Sequence, residues 1–280
     1  MSPPQPPQPA RKPKRNLAIA FVPVLLVIIT FLFWRQTWFG TRLSDREMSE
    51  YLADTSVPHK TQHALAQLAE RMTRGDASAQ QWYPQVLALA ANRKAEFRLM
   101  AAWVMGQDNH SEDFHEALAK LLSDSDPMVR RNAALSLVRF GDASGRAELR
   151  AMLEPFPLRA PQAGAITFRL REGDPVRSGT TVARLASGES KPIEVASPVT
   201  GEFARRAVAD GATAAKDDVV AEISPDEEQV WEALRALYLV GAEDDLANVE
   251  RFTGGAPGMP ERIHRQAALT AAAIRHRSQE

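Results

Sequence analysis

Histidines and acidic residues form two groups along the chain whose spacing is compatible with metal ligands. His59 and His63 stand four positions apart, so they would share one face of a helix. The glutamate of an HExxH zinc motif is missing, and no third ligand is identifiable. The second group has five members: Asp108, His110, Glu112, Asp113 and His115. Its spacing matches no calcium loop, and a solvated turn explains it better. We predict no metal site in either group.

Catalytic motifs are missing as well. The sequence has no GxSxG nucleophile elbow, no phosphate-binding Walker loop and no dinucleotide-binding glycine motif. It has no cysteine, which excludes a thiolate nucleophile and a thiolate metal site. The densest glycine cluster, Gly254, Gly255 and Gly258, lies in one proline-containing loop and is explained by turn geometry. We therefore predict that the protein is not an enzyme, with no catalytic residue and no cofactor.

Residues 160–223 contain one pattern written twice, with a period of 37 residues that becomes 38 after one insertion. The first copy reads APQAGAITFRLREGDPVRSGTTVARL, and the second reads SPVTGEFARRAVADGATAAKDDVVAEI. Each copy alternates short apolar runs with glycines, which is typical of short strands joined by tight turns that need positive φ. The duplication predicts two four-strand halves that close on one another and hide their edges.

The repeated pattern, APxxG followed by EGDxVxxGxxVAxL, resembles the biotinyl/lipoyl-like barrel-sandwich hybrid of carrier domains and periplasmic adaptor subunits. The resemblance covers roughly residues 157–225. It implies that a carrier would attach its cofactor to a lysine at the hairpin between the halves. Ser190 occupies that position, or Gly188 if a small gap is allowed, and Lys191 is the only nearby amine. We therefore predict a barrel that serves through its shape and surface, with a covalently loaded carrier as the alternative.

A second kind of repeat lies on both sides of this barrel. Segments beginning at Phe97, Val129 and Ile263 share an apolar residue, a basic residue and a small pair at positions i+4 and i+5, and a weaker copy lies at 233–241. The segment 129–142, VRRNAALSLVRFGD, is similar to short HEAT repeats, in which small residues allow close helix packing. The resemblance implies an α-solenoid with a protein-binding surface, interrupted by the barrel. A generic alanine-rich helical bundle is the alternative.

The beginning of the chain has the pattern of a membrane anchor. Residues 16–34 carry no charge over 19 positions, close to the roughly 20 residues that a helix needs to cross a bilayer. The segment that follows offers no small-residue cleavage site. Basic residues precede the apolar run, and the positive-inside tendency therefore places the N-terminus in the cytoplasm. We expect an uncleaved, single-pass protein of the plasma (inner) membrane with most of the chain extracytoplasmic.

The charge balance excludes one class of partner. The formal net charge is −1, but five basic residues belong to the first 35 positions, and the remaining chain carries about −6. Such a body is a poor ligand for nucleic acid. With 44% hydrophobic and 25% charged residues, the composition suits a folded body.

These patterns predict a multidomain α + β fold with a single transmembrane helix, an α-solenoid of HEAT-like repeats and an inserted all-β barrel-sandwich hybrid. The predicted domains are a disordered, proline-rich, basic cytoplasmic tail at 1–15, a transmembrane anchor at 16–38, helical repeats at 41–156, the barrel at 157–225 and further helical repeats at 226–280.

The function expected from this architecture is that of a membrane-anchored, non-catalytic scaffold or adaptor. It would bind protein partners in a bacterial cell envelope through the helical array and the barrel. The candidate binding residues are the hairpin tip and two arginines at equivalent repeat positions: Ser187, Gly188, Glu189, Ser190, Lys191, Arg98 and Arg130. The two arginines would also suit ion pairs between repeats. A lipoyl- or biotin-type carrier and an enzyme related to HEAT-like phycobilin lyases are the alternatives.

Overall fold

A computed structural model describes residues 42–188, 191–255 and 258–279 of the chain. The described residues fall into two units that divide between residues 47 and 48. In the first unit, Ser44 and Glu47 form a capping box. The Ser44 N–H donates to Glu47 Oε2 at 2.9 Å, and the Glu47 N–H donates to Ser44 Oγ at 3.3 Å. These bonds satisfy backbone donors that a helix start leaves without a partner.

The transmembrane component of the predicted fold class is wrong for the part of the chain that the structure describes. None of the helices described there is long and apolar enough to cross a membrane. The longest of them, Glu261–Arg277, has 17 residues and is charged in its first and last turns. The described residues form a mixed structure of helices and antiparallel sheets. The apolar run 16–34, with the predicted tail and anchor, lies outside these residues.

Ten α-helices and two short 3-10 helices are present in the described residues. Before the β strands they are α1 (Asp45–Ala53), α2 (Pro58–Thr73), a 3-10 helix (Ala77–Trp82), α3 (Tyr83–Ala90), α4 (Ala95–Met105), α5 (Glu112–Leu121), α6 (Pro127–Arg139) and α7 (Arg146–Ala151). After the strands they are α8 (Glu227–Val240), a 3-10 helix (Glu243–Asp245), α9 (Leu246–Glu250) and α10 (Glu261–Arg277).

Consecutive helices pack in pairs along the chain: α3 with α4, α5 with α6, α7 with α8, and α9 with α10. The second helices of these pairs stack on one another, α4 on α6, α6 on α8 and α8 on α10, and we call them the second-helix row. Phe97, Val129 and Ile263, which begin the three sequence repeats, are all fully buried. The small residues Ala101, Ala133 and Ala267 are buried too, which allows close helix packing.

A buried hydroxyl joins neighbouring helices of the row at two equivalent positions. Ser136 Oγ of α6 donates to the carbonyl oxygen of Ala102 in α4 at 2.9 Å. Thr270 Oγ1 of α10 donates to the carbonyl oxygen of Leu234 in α8 at 2.9 Å. Both hydroxyls lie three positions after the first small residue of the repeat motif. Equivalent hydrogen bonds therefore recur in the helical repeats, as equivalent apolar contacts do.

Eight strands follow α7. They are β1 (Phe156–Arg159), β2 (Gly164–Phe168), β3 (Pro175–Val176), β4 (Thr181–Ala186), β5 (Ile193–Ala196), β6 (Gly201–Arg206), β7 (Thr213–Ala214) and β8 (Val219–Pro225). They form two four-stranded antiparallel sheets with strand orders β1-β8-β6-β3 and β5-β4-β2-β7. We call this part the β module.

The two sequence copies interlock in the β module. Strands β2 to β4 come from the first copy and β6 to β8 from the second, while β1 and β5 directly precede the two copies at equivalent positions, 37 residues apart. Counting these two with the copies that they precede, each sheet holds two strands of each copy. Replacing every strand by its equivalent in the other copy turns one strand order into the other. Gly164 and Gly201 are equivalent, and a Cβ on Gly164 would lie 2.7 Å from the Ala186 carbonyl oxygen, while one on Gly201 would overlap the Ser224 carbonyl oxygen. Membership of the barrel-sandwich hybrid family, like the domain bounds, stays a prediction.

The helices before and after the β module share one hydrophobic core. Leu149 and Met152 pack in the same buried cluster as Leu234 and Ile263. A fully buried carboxylate, Asp245, joins the same two parts, because its Oδ2 lies 2.8 Å from Arg146 Nε and its Oδ1 lies 3.3 Å from Arg150 Nε. The strands thus occupy a connection within one continuous set of packed helices, between α7 and α8.

Candidate protein-binding groove

Exposed apolar side chains concentrate on the second-helix row. Within the part of the chain that the structure describes, the exposed large apolar side chains are Trp103 (43%), Ile193 (40%), Tyr238 (43%), Leu239 (60%) and Leu269 (58%). Four of these five belong to α4, α8 and α10, and Ile193 alone lies in the β module. Single exposed apolar residues are normal on a protein surface, but a cluster of them indicates an interaction site.

Two cavities lie along these helices, with volumes of about 470 and 330 Å³. Arg235 and Leu239 line both cavities, so the two cavities adjoin each other, and we call them together the helix-row groove. Its apolar and charged side chains come from all four helices of the row. They include Trp103 of α4, Leu135 of α6, Arg235 and Leu239 of α8, and Leu269 of α10.

The repeat itself places these side chains in a line. Trp103, Leu135 and Leu269 each stand two positions after the first small residue of their repeat, and Arg235 holds the corresponding position after Ala233. The residues on either side of Leu135 are buried in the core of the array, whereas Leu135 itself reaches the groove. Because packed helices keep their register, the equivalent outward positions meet along one surface.

Arg131 lines the groove although its side chain is only 3% exposed. Its Nη1 donates to Gln229 Oε1 at 2.5 Å, and its guanidinium lies 5.8 Å from the centre of the Phe156 ring in β1. The Nε atom is 3.9 Å from Glu148 Oε1, and it is buried with no hydrogen-bond acceptor among the described residues. Burial lowers the pKa of Arg131, because a charged group loses solvation in the interior.

Two other guanidinium groups face the groove, and unlike Arg131 they have no carboxylate partner among the described residues. Arg139 Nη1 donates to the neutral acceptors Gly106 O at 3.1 Å and Gln107 Oε1 at 2.8 Å. Arg235 lies over the Trp231 ring at 5.9 Å. Among the described residues, no carboxylate oxygen comes within 4.0 Å of the guanidinium nitrogens of Arg139 or Arg235. Both cations therefore keep N–H donors for another acceptor.

The three carboxylates of the groove differ in their partners. Asp226 is the N-cap of α8 and accepts from the Gln229 N–H at 2.9 Å. Glu228 lies 3.3 Å from Arg262 Nη2. Glu232 has no hydrogen bond or ion pair with any residue that the structure describes, and partial desolvation, followed by the charges of Glu228 and Asp226, raises its pKa. The groove thus holds one unpaired carboxylate beside three guanidinium groups with spare donors.

The two arginines predicted as binding residues lie outside this groove. Arg98 binds both oxygens of Asp124, from Nε at 2.6 Å and from Nη2 at 2.7 Å. These hydrogen bonds raise the pKa of Arg98 and lower that of Asp124. Arg130 Nε donates to Glu148 Oε2 at 3.1 Å, and its Nη1 donates to the Asp124 carbonyl oxygen at 2.9 Å. Both arginines therefore make ion pairs that hold neighbouring helical segments together.

The predicted hairpin site is only partly described. Ser187, Gly188 and Lys191 are exposed, and Gly188 has a φ of 58°, which suits a tight turn. Glu189 and Ser190 lie outside the described residues. None of the three described hairpin residues lines the groove.

Several of the possible metal ligands contact other side chains instead. His63 Nε2 lies 2.6 Å from Gln67 Nε2, Asp108 accepts from the Tyr83 hydroxyl at 2.6 Å, and His115 pairs with Asp142 at 2.7 Å. In the described ranges, no group of three or more histidine, aspartate or glutamate side chains is arranged to hold a metal ion.

Comparison with known proteins supports the helical repeat. Residues 83–162 match the family model for HEAT repeats, so this part of the chain is a HEAT-like helical repeat. HEAT repeats commonly mediate protein–protein interaction. No curated protein matches the sequence. Among solved structures, the chain is similar to a crystal structure of an engineered protein, with 14% identity, a TM-score of 0.41, and coverage of 83% of this chain and 80% of that one.

Proposed function

We propose that this protein is a non-catalytic scaffold that binds a protein partner in the helix-row groove. The observation that carries the proposal is the clustering of Trp103, Tyr238, Leu239 and Leu269, each at least two-fifths exposed, along stacked helices. Burying such side chains against a partner would remove a large apolar area from water, and that is the main favourable term in protein association. The HEAT-like repeat at 83–162 supports the same class of function.

A photoreactive amino acid placed at position 239 or at position 269 tests this proposal in the full-length chain, in the cells that make it. We expect a specific crosslinked protein from both positions, and its loss when the other groove leucine is changed to serine. Position 193 serves as the matched control, because Ile193 is a comparably exposed apolar residue on the β module. If the crosslinks form from position 193 and not from positions 239 and 269, the β module is the binding surface and the groove proposal is wrong.

The absence of catalysis and the cell-envelope location are further parts of the proposal. Their support comes from the sequence, which lacks catalytic motifs and carries an uncharged, apolar stretch at 16–34. Fractionation of cells should recover the full-length protein with the envelope, and recovery from the cytosol would contradict the location. An intact mass increased by a group on Lys191 would favour the carrier alternative instead.

A further inference from the structure

We infer that the helix-row groove takes an acidic amphipathic helix of the partner, whose carboxylates bind the exposed guanidinium groups of Arg139 and Arg235 beside the buried charge of Arg131. The inference rests on the proposed function and adds the chemistry of the partner. Its two parts, the acidic character and the helical form, follow from different observations on the groove.

The buried guanidinium of Arg131 is the first observation. A guanidinium has five N–H donors, and the one hydrogen bond that Arg131 makes with a described residue goes to Gln229. The nearest carboxylate, Glu148, is closer to Arg130 than to Arg131, at 3.1 Å against 3.9 Å. A buried charge with unsatisfied donors is unfavourable unless another group completes its partners. Arg131 lines the groove, so its positive charge, which Glu148 balances only in part, would attract a carboxylate that enters there.

The balance of the remaining charges is the second observation. Arg139 donates only to neutral acceptors, and Arg235 has no carboxylate at ion-pair distance among the described residues. Two of the three acids in the groove already have partners, which leaves Glu232 as the one unpaired carboxylate. The spare donors therefore outnumber the spare acceptors, and electrostatic complementarity favours a partner segment with carboxylates.

The arrangement of the apolar residues indicates the form of that segment. Trp103, Leu239 and Leu269 belong to α4, α8 and α10, so an occupant that contacts all three crosses the row. Packed helices lie about 8–10 Å apart, which makes the distance from α4 to α10 roughly 25–30 Å. A helix of about 18 residues has that length. An amphipathic helix with leucines on one face and acids on its flanks would fill the groove and reach the arginines.

Three synthetic 18-residue peptides with one leucine face and flanks of Glu, Gln or Lys test the inference. Their dissociation constants with the full-length chain are measured by fluorescence anisotropy at low and high salt. We expect the Glu peptide to bind about tenfold more tightly than the Gln peptide and the Lys peptide to bind most weakly, with a preference that shrinks at high salt. The double variant Arg139→Gln with Arg235→Gln should lose most of this preference. Arg171→Gln, which removes an exposed arginine of the β module, should keep it.

The outcomes separate this inference from the proposed function. If all three peptides bind equally and Leu239→Ser abolishes binding, the groove binds helices but the inference about acidic partners is wrong. Tighter binding of the Lys peptide would also overturn it. If none of the peptides binds, the inference is wrong, and the crosslinks from positions 239 and 269 decide the groove proposal separately. Arg139 and Arg235 are surface-accessible, so their variants should fold. Arg131→Met changes a buried residue, and its unfolding transition is therefore measured first. This variant should weaken the binding of the Glu peptide and leave the binding of the other two peptides unchanged.

Discussion

The helical array and the β module are both built from internal repeats, but their copies are joined in different ways. In the array, each helix pair packs against the next, and equivalent contacts recur along the row, such as Ser136 with Ala102 and Thr270 with Leu234. In the β module, each sheet contains strands of both copies, so neither copy has a sheet of its own. The repeats of the array therefore pack one on the next, whereas the two copies of the β module share both of its sheets.

This difference determines which part of the molecule offers a binding surface. In the stacked array, an equivalent position of each repeat points away from the core. The residues at this position, Trp103, Leu135, Arg235 and Leu269, line the helix-row groove. A closed pair turns its apolar residues inward, and Ile193 is the one large apolar side chain of the described module that is strongly exposed. A core mutation should therefore have different effects in the two parts. In the array it should lower the stability of the mutated helix and its nearest neighbours, whereas in the β module it should lower the stability of all the strands together.

Phe203→Ala should give the largest effect and test the interlocked structure directly. Phe203 is fully buried in β6, and its ring lies 5.8 Å from that of Phe168 in β2, across the two copies. We expect a loss of about 3–5 kcal/mol in the free energy of unfolding of the module. Hydrogen exchange with mass spectrometry should show reduced protection in the strands of both copies, with α4 unaffected.

Phe97→Ala is the matched change in the helical array, since Phe97 is also fully buried. It should lower protection in α4 and the helices packed on it while the β module keeps its own. If Phe203→Ala loosened only β5 to β8, the two copies would be independent and the comparison drawn above would be wrong.

Asp245→Asn should have the next largest effect, because it breaks the link between the two parts of the array. Asp245 is fully buried and pairs with Arg146 and Arg150, which are about a quarter to a third exposed. We expect the free energy of unfolding, measured by chemical denaturation, to fall by about 2–3 kcal/mol. This is less than for a fully buried ion pair, because the two arginines can be solvated in part. Asp244→Asn is the control, because the Asp244 carboxylate is 72% exposed and lies 3.3 Å from Arg146. It should change stability by less than about 0.5 kcal/mol, and equal effects would remove the special role of Asp245.

The repeats could be predicted from the sequence because their signals are local. The 37-residue period places Gly164 and Gly201 at equivalent positions, where β2 and β6 begin, and the duplicated strand pattern follows from it. The helical repeat is visible in Phe97, Val129 and Ile263 because an apolar residue followed by a small pair marks the packed face of a helix. The transmembrane component of the predicted fold class, in contrast, finds no support among the described helices.

The groove could not be predicted because its residues look ordinary in the sequence. An apolar residue such as Leu239 counts toward the core in a periodicity argument, and only the packing shows that it is 60% exposed. Arg130 and Arg131 are adjacent in the sequence, yet Arg130 forms a close ion pair with Glu148 and Arg131 is buried. Alignment of the repeat copies on their first small residue would have found the outward position at Trp103 and Leu135.

The hydroxyl contacts between helices offer a smaller and more specific test of stacking. Ser136→Ala and Thr270→Val each remove one buried hydrogen bond to a neighbouring helix, and each should cost about 1 kcal/mol in chemical denaturation. Ser278→Ala is the control, because the Ser278 hydroxyl bonds the Ile274 carbonyl oxygen within its own helix end. Its expected cost is below about 0.5 kcal/mol. A large difference between the first two variants would mean that equivalent contacts do not carry equivalent free energy.

The ion pair of Arg98 with Asp124 should give the smallest effect, and one that depends on pH. Hydrogen bonds from Arg98 lower the pKa of Asp124 from its ordinary value of 3.8, so the folded state binds this proton less readily than the unfolded state. The stabilisation from the pair is therefore fully present above that value and is lost as the pH falls through the lower pKa of the folded state. We expect Arg98→Gln to be less stable than the wild type at pH 7 and the difference to narrow by less than about 1 kcal/mol as the pH falls below about 4. Arg265→Gln, which removes an exposed pair with Glu261, should show no measurable difference. A difference for Arg98→Gln that stays constant down to pH 2 would mean that this arginine acts through its bonds to the loop carbonyls of Asn92 and Arg93, and not through the carboxylate of the next repeat.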